Sequence, residues 1–336
     1  MLAQNFRNKT VSYLSLCFVL FCGACKSRTK ANLNNSNKYI ETPADSFGNK
    51  GLIWGSFFHF GESITADNFQ KIILSNKYKN LAKQSARSCE KMKSDFGLTF
   101  EAIENFSFES VLPSVATFKA SNVAGMEIER IYMSAVCAAT SQNLDERKKA
   151  LENASAGIEK WTKKYVVQGN PINEVKLLQL VHSFDLVNSA VPEELKFAMA
   201  NFAKAIILAE DNFYLGKETP KTKRIENFAN DSRVWNNWQT WRIALRASAA
   251  GFLHDSAELK KTKIVIDEMF EKNLPQNSPG FDFEHRDALL YHVYNLQAWI
   301  NIAWYTPYLL SASQLSRIEQ AVFVYSAILP WGAKSY

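Results

Sequence analysis

Residues 280–304 read GFDFEHRDALLYHVYNLQAWINIAW, and this stretch decides the fold class. Wound as a helix at about 100° per residue, it sorts into two opposed stripes. Leu289, Val293, Leu296, Ile300 and Ala303 fall together as an apolar core face. Asp287, Tyr291, Tyr294, Ala298 and Asn301 fall on the other side, with phenols where a plain surface helix would carry Lys and Glu. His285, Arg286 and His292 sit between or beside the stripes. Phenols, imidazoles and a guanidinium this close together can supply both proton transfer and anion recognition. The competing reading is an aromatic packing helix whose polar tips find partners in the core.

The rest of the chain repeats the helical pattern. Apolar periodicity and stop signals predict helices at about 65–92, 124–142, 144–166, 173–189, 193–210, 235–253, 256–273, 285–305 and 313–328. Asn143 ahead of Asp145 and Glu146, Pro192 at a first turn, and Ser256 ahead of Glu258 mark starts. Residues 100–121, with Pro113 and poor periodicity, read mostly as loop. No alternating strand pattern appears, and the linkers are short, so neighbouring helices should form antiparallel hairpins. No linker rich in Gly or Pro divides residues 50–336, which predicts one all-α domain. Hairpins laid side by side can curve into an incomplete (α/α) toroid, whose inner wall is a natural groove for an extended polymer.

The stretch from Arg286 to Leu296, RDALLYHVYNL, resembles the R-x-A-L-x-Y-H-x-Y-x-L signature of the alginate lyase family of polysaccharide lyases. Upstream, Trp235-Asn236-Asn237-Trp238-Gln239-Thr240-Trp241 resembles that family's N-N-x-x-x-W segment, in matching order and spacing. The resemblance implies an (α/α) toroid fold and β-elimination on a uronic-acid polymer such as alginate.

At the other end, Arg7 and Lys9 precede an apolar run over residues 11–22, the layout of an export signal. The run ends Cys22-Gly23-Ala24-Cys25, which resembles a lipoprotein cleavage box with Cys25 as the acylated residue. Residues 1–25 are therefore expected to be a signal peptide and residues 26–49, rich in Asn, Ser and Lys, a flexible tether. This predicts a bacterial protein that is periplasmic or anchored at the outer membrane, touching membrane only through its lipid. The net charge of +6 falls when Arg7 and Lys9 leave with the signal. A mildly basic chain suits an anionic polysaccharide, and no block of Lys and Arg suggests nucleic acid. Cys89 and Cys137 remain; a single disulfide and a buried free thiol at Cys137 are both open, and neither Cys has metal-ligand spacing.

The chemistry explains why such residues would be needed. To eliminate across C4–C5 of a uronate, a base takes the C5 proton and the C4 oxygen leaves with a proton. The C5 neighbour is already a carboxylate, so a second negative charge must be absorbed, and fixed donors on that carboxylate are the largest expected effect. A tyrosinate suits the base, provided nearby cations or donors bring its pKa down from near 10, about 4 kcal/mol for three units. The family resemblance assigns the base and acid work to Tyr294 and the amide to Asn237 or Asn236, with Tyr291 and His292 beside them; Arg286, one place before the family's Arg position, is a candidate for the carboxylate if the helix begins after it. Trp235, Trp238, Gln239, His285 and His182 are candidates for contacting the sugar. The chain departs from the family at Asp287, where better-known members carry Arg, and at Trp238, where they carry His; His285, His292 and His182 could replace that imidazole. It also stops at Tyr336, which predicts a shortened C-terminal segment.

Each residue also has a plainer reading. His292 lies near the Leu289/Leu296 side of the wheel, His182 stands alone on an apolar helix, and Arg286 could pair with Asp282, Glu284 or Asp287. Trp241 reads as core. Neither a metal nor a cofactor is called for, because side chains alone can neutralise the carboxylate. GxSxG, P-loop and HExxH patterns are absent. The alternatives are a glycan-binding lipoprotein without catalysis, or a glycoside hydrolase using two of the same acidic residues.

Overall fold

The structure, a computed structural model, describes residues 89–90, 92–108, 114–214, 236–276, 280, 288–318 and 320–321. The predicted helix at 65–92 and the end of that at 313–328 lie largely outside them, as do the signal, the tether and Cys25. Among the described residues the chain is helical and contains no strand. Seven α-helices lie among the described residues: α1 (Ala116–Thr140), α2 (Leu144–Lys164), α3 (Leu177–Val187), α4 (Glu193–Tyr214), α5 (Asn237–Phe252), α6 (Ser256–Asn273) and α7 (Ala288–Tyr305).

Local signals fix most of the boundaries. Asn143 caps α2 by accepting from the backbone N–H groups of Asp145 and Glu146, while Lys163 and Lys164 sit at its C-terminal end, where the helix dipole favours cations. On α6 the cap is Asp255 rather than Ser256: the Asp255 carboxylate accepts from Ala257 and Glu258. Helix α3 is shorter than the expected 173–189 and α4 runs past 210. A larger difference is α1, which starts at Ala116 instead of about 124. Residues 114–120 are almost all exposed, so no apolar stripe announces that first turn.

Helices α1 and α2 pack as a hairpin, and so do α5 and α6. In the first pair a methyl on Gly157 would overlap Ile131, so glycine is what lets the two backbones approach. Trp161 and Trp299 are fully buried in the core, each such side chain contributing about 1.5–3 kcal/mol through the water it sheds. Cys89 and Cys137 form a disulfide, with Cα atoms 5.3 Å apart, which decides between the two readings of Cys137.

Helix α5 packs against α3, α4, α6 and α7. It is almost wholly buried, so its polar side chains need partners inside the protein. Arg242 donates to the carboxylate of Glu210 at 2.6 Å and to Gln239 at 2.8 Å. Arg246 pairs with Asp211 and Glu258. Thr240 donates to Asn295 at 2.6 Å, and the Asn273 side-chain oxygen accepts from Asn295 and from the Trp299 indole, tying α5, α6 and α7 together. This polar seam sets the register between the two helices that carry the predicted site.

Candidate active site

The start of α5 sends four neighbouring polar side chains to four destinations. Asn236 is the helix cap, its side-chain oxygen accepting from the Trp238 backbone N–H at 2.9 Å. Gln239 is held by Arg242 and Thr240 by Asn295. Asn237, 1% exposed, is the exception: neither polar atom of its amide has a hydrogen-bond partner in the protein. A buried amide left without a partner costs about 1–3 kcal/mol, so this one is held at the expense of stability.

Tyr291 and Tyr294 lie three residues apart on α7 and so share a face. That face meets Asn237 across a cavity of about 270 Å³, lined among the described residues also by Trp238, Trp241, Pro171 and Ile172. The Tyr294 ring packs against Trp241 with centroids 5.0 Å apart, and the buried Trp241 indole N–H also has no protein partner. Trp241 is thus both core and cavity wall. The far wall comes from the loop between α2 and α3. Within that loop the Glu174 carboxylate accepts from the Gln168 and Gly169 backbone N–H groups, each at 2.7 Å, and from the Tyr165 hydroxyl at 3.0 Å.

Burial pushes the Tyr294 phenol above its ordinary pKa. Among the described residues no cation lines the cavity to bring it down. The resting phenol is therefore neutral, a hydrogen-bond donor and a reservoir for one proton. Its conjugate base, once formed in this half-buried wall, is strong.

The remaining predicted residues lie elsewhere. His292 is buried and points away from the cavity lining, near Gly280; burial pushes its imidazole down to about 4, so it is neutral at physiological pH. His182 is buried against Tyr305 and lies 3.2 Å from the Ser248 hydroxyl, away from the cavity. Trp235, His285, Arg286 and Asp287 lie outside the described residues. Two wall residues, Pro171 and Ile172, were not singled out from the sequence. The turn signal Gly169-Asn170-Pro171 marks their loop, but nothing in it points at a helix so distant in the chain.

A larger groove of about 1070 Å³ opens beside the start of α2. Its wall mixes Lys93, Lys149 and Lys160 with Glu101, Glu146 and Glu152, and Lys93 is already paired with Glu146 at 2.8 Å. It brings no phenol or unpartnered amide together, so the smaller cavity is the candidate site. Among the described residues no group of His, Cys, Asp and Glu is arranged to hold a metal ion.

The model of the family described as Alginate lyase matches residues 119–306, a span that takes in most of α1 and all of α2 to α7. No curated protein and no solved structure matches the chain.

Proposed function

The chain belongs to the alginate lyase family, and on that premise we propose that it cleaves a uronic-acid polymer by β-elimination in the cavity between α5 and α7. One observation carries the reading: the unpartnered amide of Asn237 and the phenols of Tyr291 and Tyr294 line the same ring-sized space. Asn237 Nδ2 donates to the uronate carboxylate, where charge grows as the C5–H bond breaks. Tyr294, as phenolate, takes the C5 proton through Oη. The electrons left on C5 form the C4=C5 double bond as the C4–O bond breaks, and Tyr294 Oη returns the proton to the departing oxygen. Phenol and phenolate are interchanged and restored, so no water is consumed. Trp238 and Trp241 offer apolar faces to the sugar ring.

The layout also bears on which sugar. Both phenols stand on one helix, and among the described residues the opposite wall, Pro171 and Ile172, holds no proton carrier. One group acting from one side suits a residue whose C5 hydrogen and C4 oxygen lie on the same face, as in D-mannuronate and D-glucuronate. An L-guluronate unit places them on opposite faces and would need an acid on the opposite wall, where the described residues offer none.

An exported, lipid-anchored protein belongs to the same reading. The basic start, the apolar run and Cys25 support it, and so does the Cys89–Cys137 disulfide, since such bonds persist in oxidising compartments. The succession of helical hairpins supports an incomplete toroid, whose concave face would extend the cavity into a trough.

Incubation with polymannuronate, polyguluronate and glucuronan tests the reading. Polymannuronate or glucuronan should yield the ultraviolet absorbance of a 4,5-unsaturated uronate, and polyguluronate should not. New reducing ends without that chromophore would make the protein a hydrolase, and binding without either product would make it a glycan receptor.

A further inference from the structure

The far wall of the cavity is built around one buried carboxylate. Glu174 is 1% exposed and stands at the centre of the turn that links α2 to α3. Gln168 donates its backbone N–H to Oε1 and Gly169 donates to Oε2, both at 2.7 Å, and the Tyr165 hydroxyl at the end of α2 adds a third bond at 3.0 Å. Gly169 has φ of +74°, a left-handed turn that glycine adopts without strain. The Glu174 backbone N–H closes the turn on the Asn170 carbonyl at 2.9 Å, and the Asn170 side chain accepts from Ile172 and Asn173. Pro171 and Ile172, which face the phenols, lie inside this closed ring of bonds.

We propose that Glu174 is a positioning residue for the reaction: it holds the turn in the one shape that sets Pro171 and Ile172 opposite Tyr291 and Tyr294, and so fixes how the uronate ring seats. The backbone N–H groups of Gln168, Gly169 and Asn170 and the Tyr165 hydroxyl converge on the two carboxylate oxygens, a demand that a neutral amide of equal size meets only in part. In Glu174→Gln one N–H or hydroxyl faces an NH₂ group instead of an acceptor, and the turn opens to relieve the conflict. The wall then recedes by a fraction of an ångström. A sugar ring seated against that wall loses van der Waals contact when the wall recedes, which weakens binding. Glu174 itself touches no substrate. It acts through the apolar surface it presents, so the loss falls on seating, in KM, more than on the chemical step in kcat.

This inference rests on the lyase reading, and the test separates the two. Steady-state elimination on polymannuronate, followed by ultraviolet absorbance, is measured for wild type, Glu174→Gln and Ile172→Ala. The last variant leaves the carboxylate and its donors intact and removes only the wall. Affinity for a saturated oligomannuronate is read in parallel from tryptophan fluorescence, since Trp238 and Trp241 line the cavity. Both variants should raise KM and weaken the oligomannuronate on the order of tenfold, with kcat within about threefold of wild type. If wild type turns over and binds while Ile172→Ala matches it, or a cooperatively melting Glu174→Gln matches it, the positioning role is wrong and the lyase reading stands. A wild type that neither binds nor eliminates overturns both.

Discussion

Replacing Tyr294 by Phe is expected to lower kcat for elimination by roughly 10²–10⁴-fold while leaving KM close to wild type. The loss is large because one oxygen is asked to do two jobs, taking the C5 proton and returning it to the C4 oxygen. Stability should change little, since the remaining ring keeps its contact with Trp241 at 5.0 Å. The pH profile carries the sharper signature. Burial pushes the Tyr294 phenol above its ordinary value, so at neutral pH only a small fraction is the phenolate. Below the pKa that fraction grows tenfold per pH unit, and log kcat/KM should climb with unit slope from neutral into alkaline pH without a plateau. The residual rate of Tyr294→Phe should lose that slope. A plateau beginning near neutrality would mean that a cation such as Arg286 lowers the phenol when substrate is bound. Full turnover in Tyr294→Phe, with the loss transferred to Tyr291→Phe, would move the proton carrier one turn along α7.

Asn237→Leu should separate activity from stability. The two side chains are close in size, and the amide has no partner inside the protein. Removing it costs no hydrogen bond and relieves a buried polar group, so the variant should gain about 1–3 kcal/mol of unfolding free energy. At the same time the donor on the uronate carboxylate is lost, and kcat/KM should fall by about 10²–10³-fold. The neighbouring Asn236→Ala behaves in the opposite sense, because Asn236 caps α5: it should lose about 1 kcal/mol of stability and retain most of its activity. Denaturant melts and initial rates on the same preparations check both. A destabilised Asn237→Leu with near-normal kcat/KM would make Asn237 a structural residue.

The sequence stretch over Asn236 to Thr240 shows where reading from residues succeeds and where it stops. Helical rotation places Asn237 and Thr240 on a shared side of α5, and in the structure both turn toward α7, Asn237 to the cavity with Tyr291 and Tyr294 and Thr240 to Asn295. What the rotation could not supply is the identity of each partner. Gln239 turns to an Arg242 that is itself held by Glu210 on a different helix, and Thr240 turns to Asn295. Tyr291 and Tyr294 were legible as a pair because a spacing of three is a property of the helix alone. Pro171 and Ile172 were not, since a loop has no period and its contact with α7 is made by the tertiary fold. The helix starts follow the same division. Asn143 could be read from its own oxygen and the acids behind it, whereas the first turn of α1 buries almost nothing and leaves no trace in the hydropathy.

The raised phenol is a second lesson of that kind. From sequence, Arg286 and the histidines promise positive charge near the tyrosines, and a lowered pKa follows. In the structure His292 is neutral and turned away, and Arg242 and Arg246 are engaged in ion pairs. Arg286 and His285 lie outside the described residues, and among those described burial dominates the phenol. Charge counted along a chain does not say which charges are already neutralised by the fold.

The most direct test is a crystal structure of Tyr294→Phe with a saturated oligomannuronate. One sugar ring should occupy the cavity between α5 and α7, its carboxylate accepting from Asn237 Nδ2. Its C5 should lie about 3–3.5 Å from the point where the missing phenol oxygen would stand. An oligosaccharide bound along Lys93, Lys149 and Lys160, or one seated in the cavity with its carboxylate turned away from Asn237, would contradict the account.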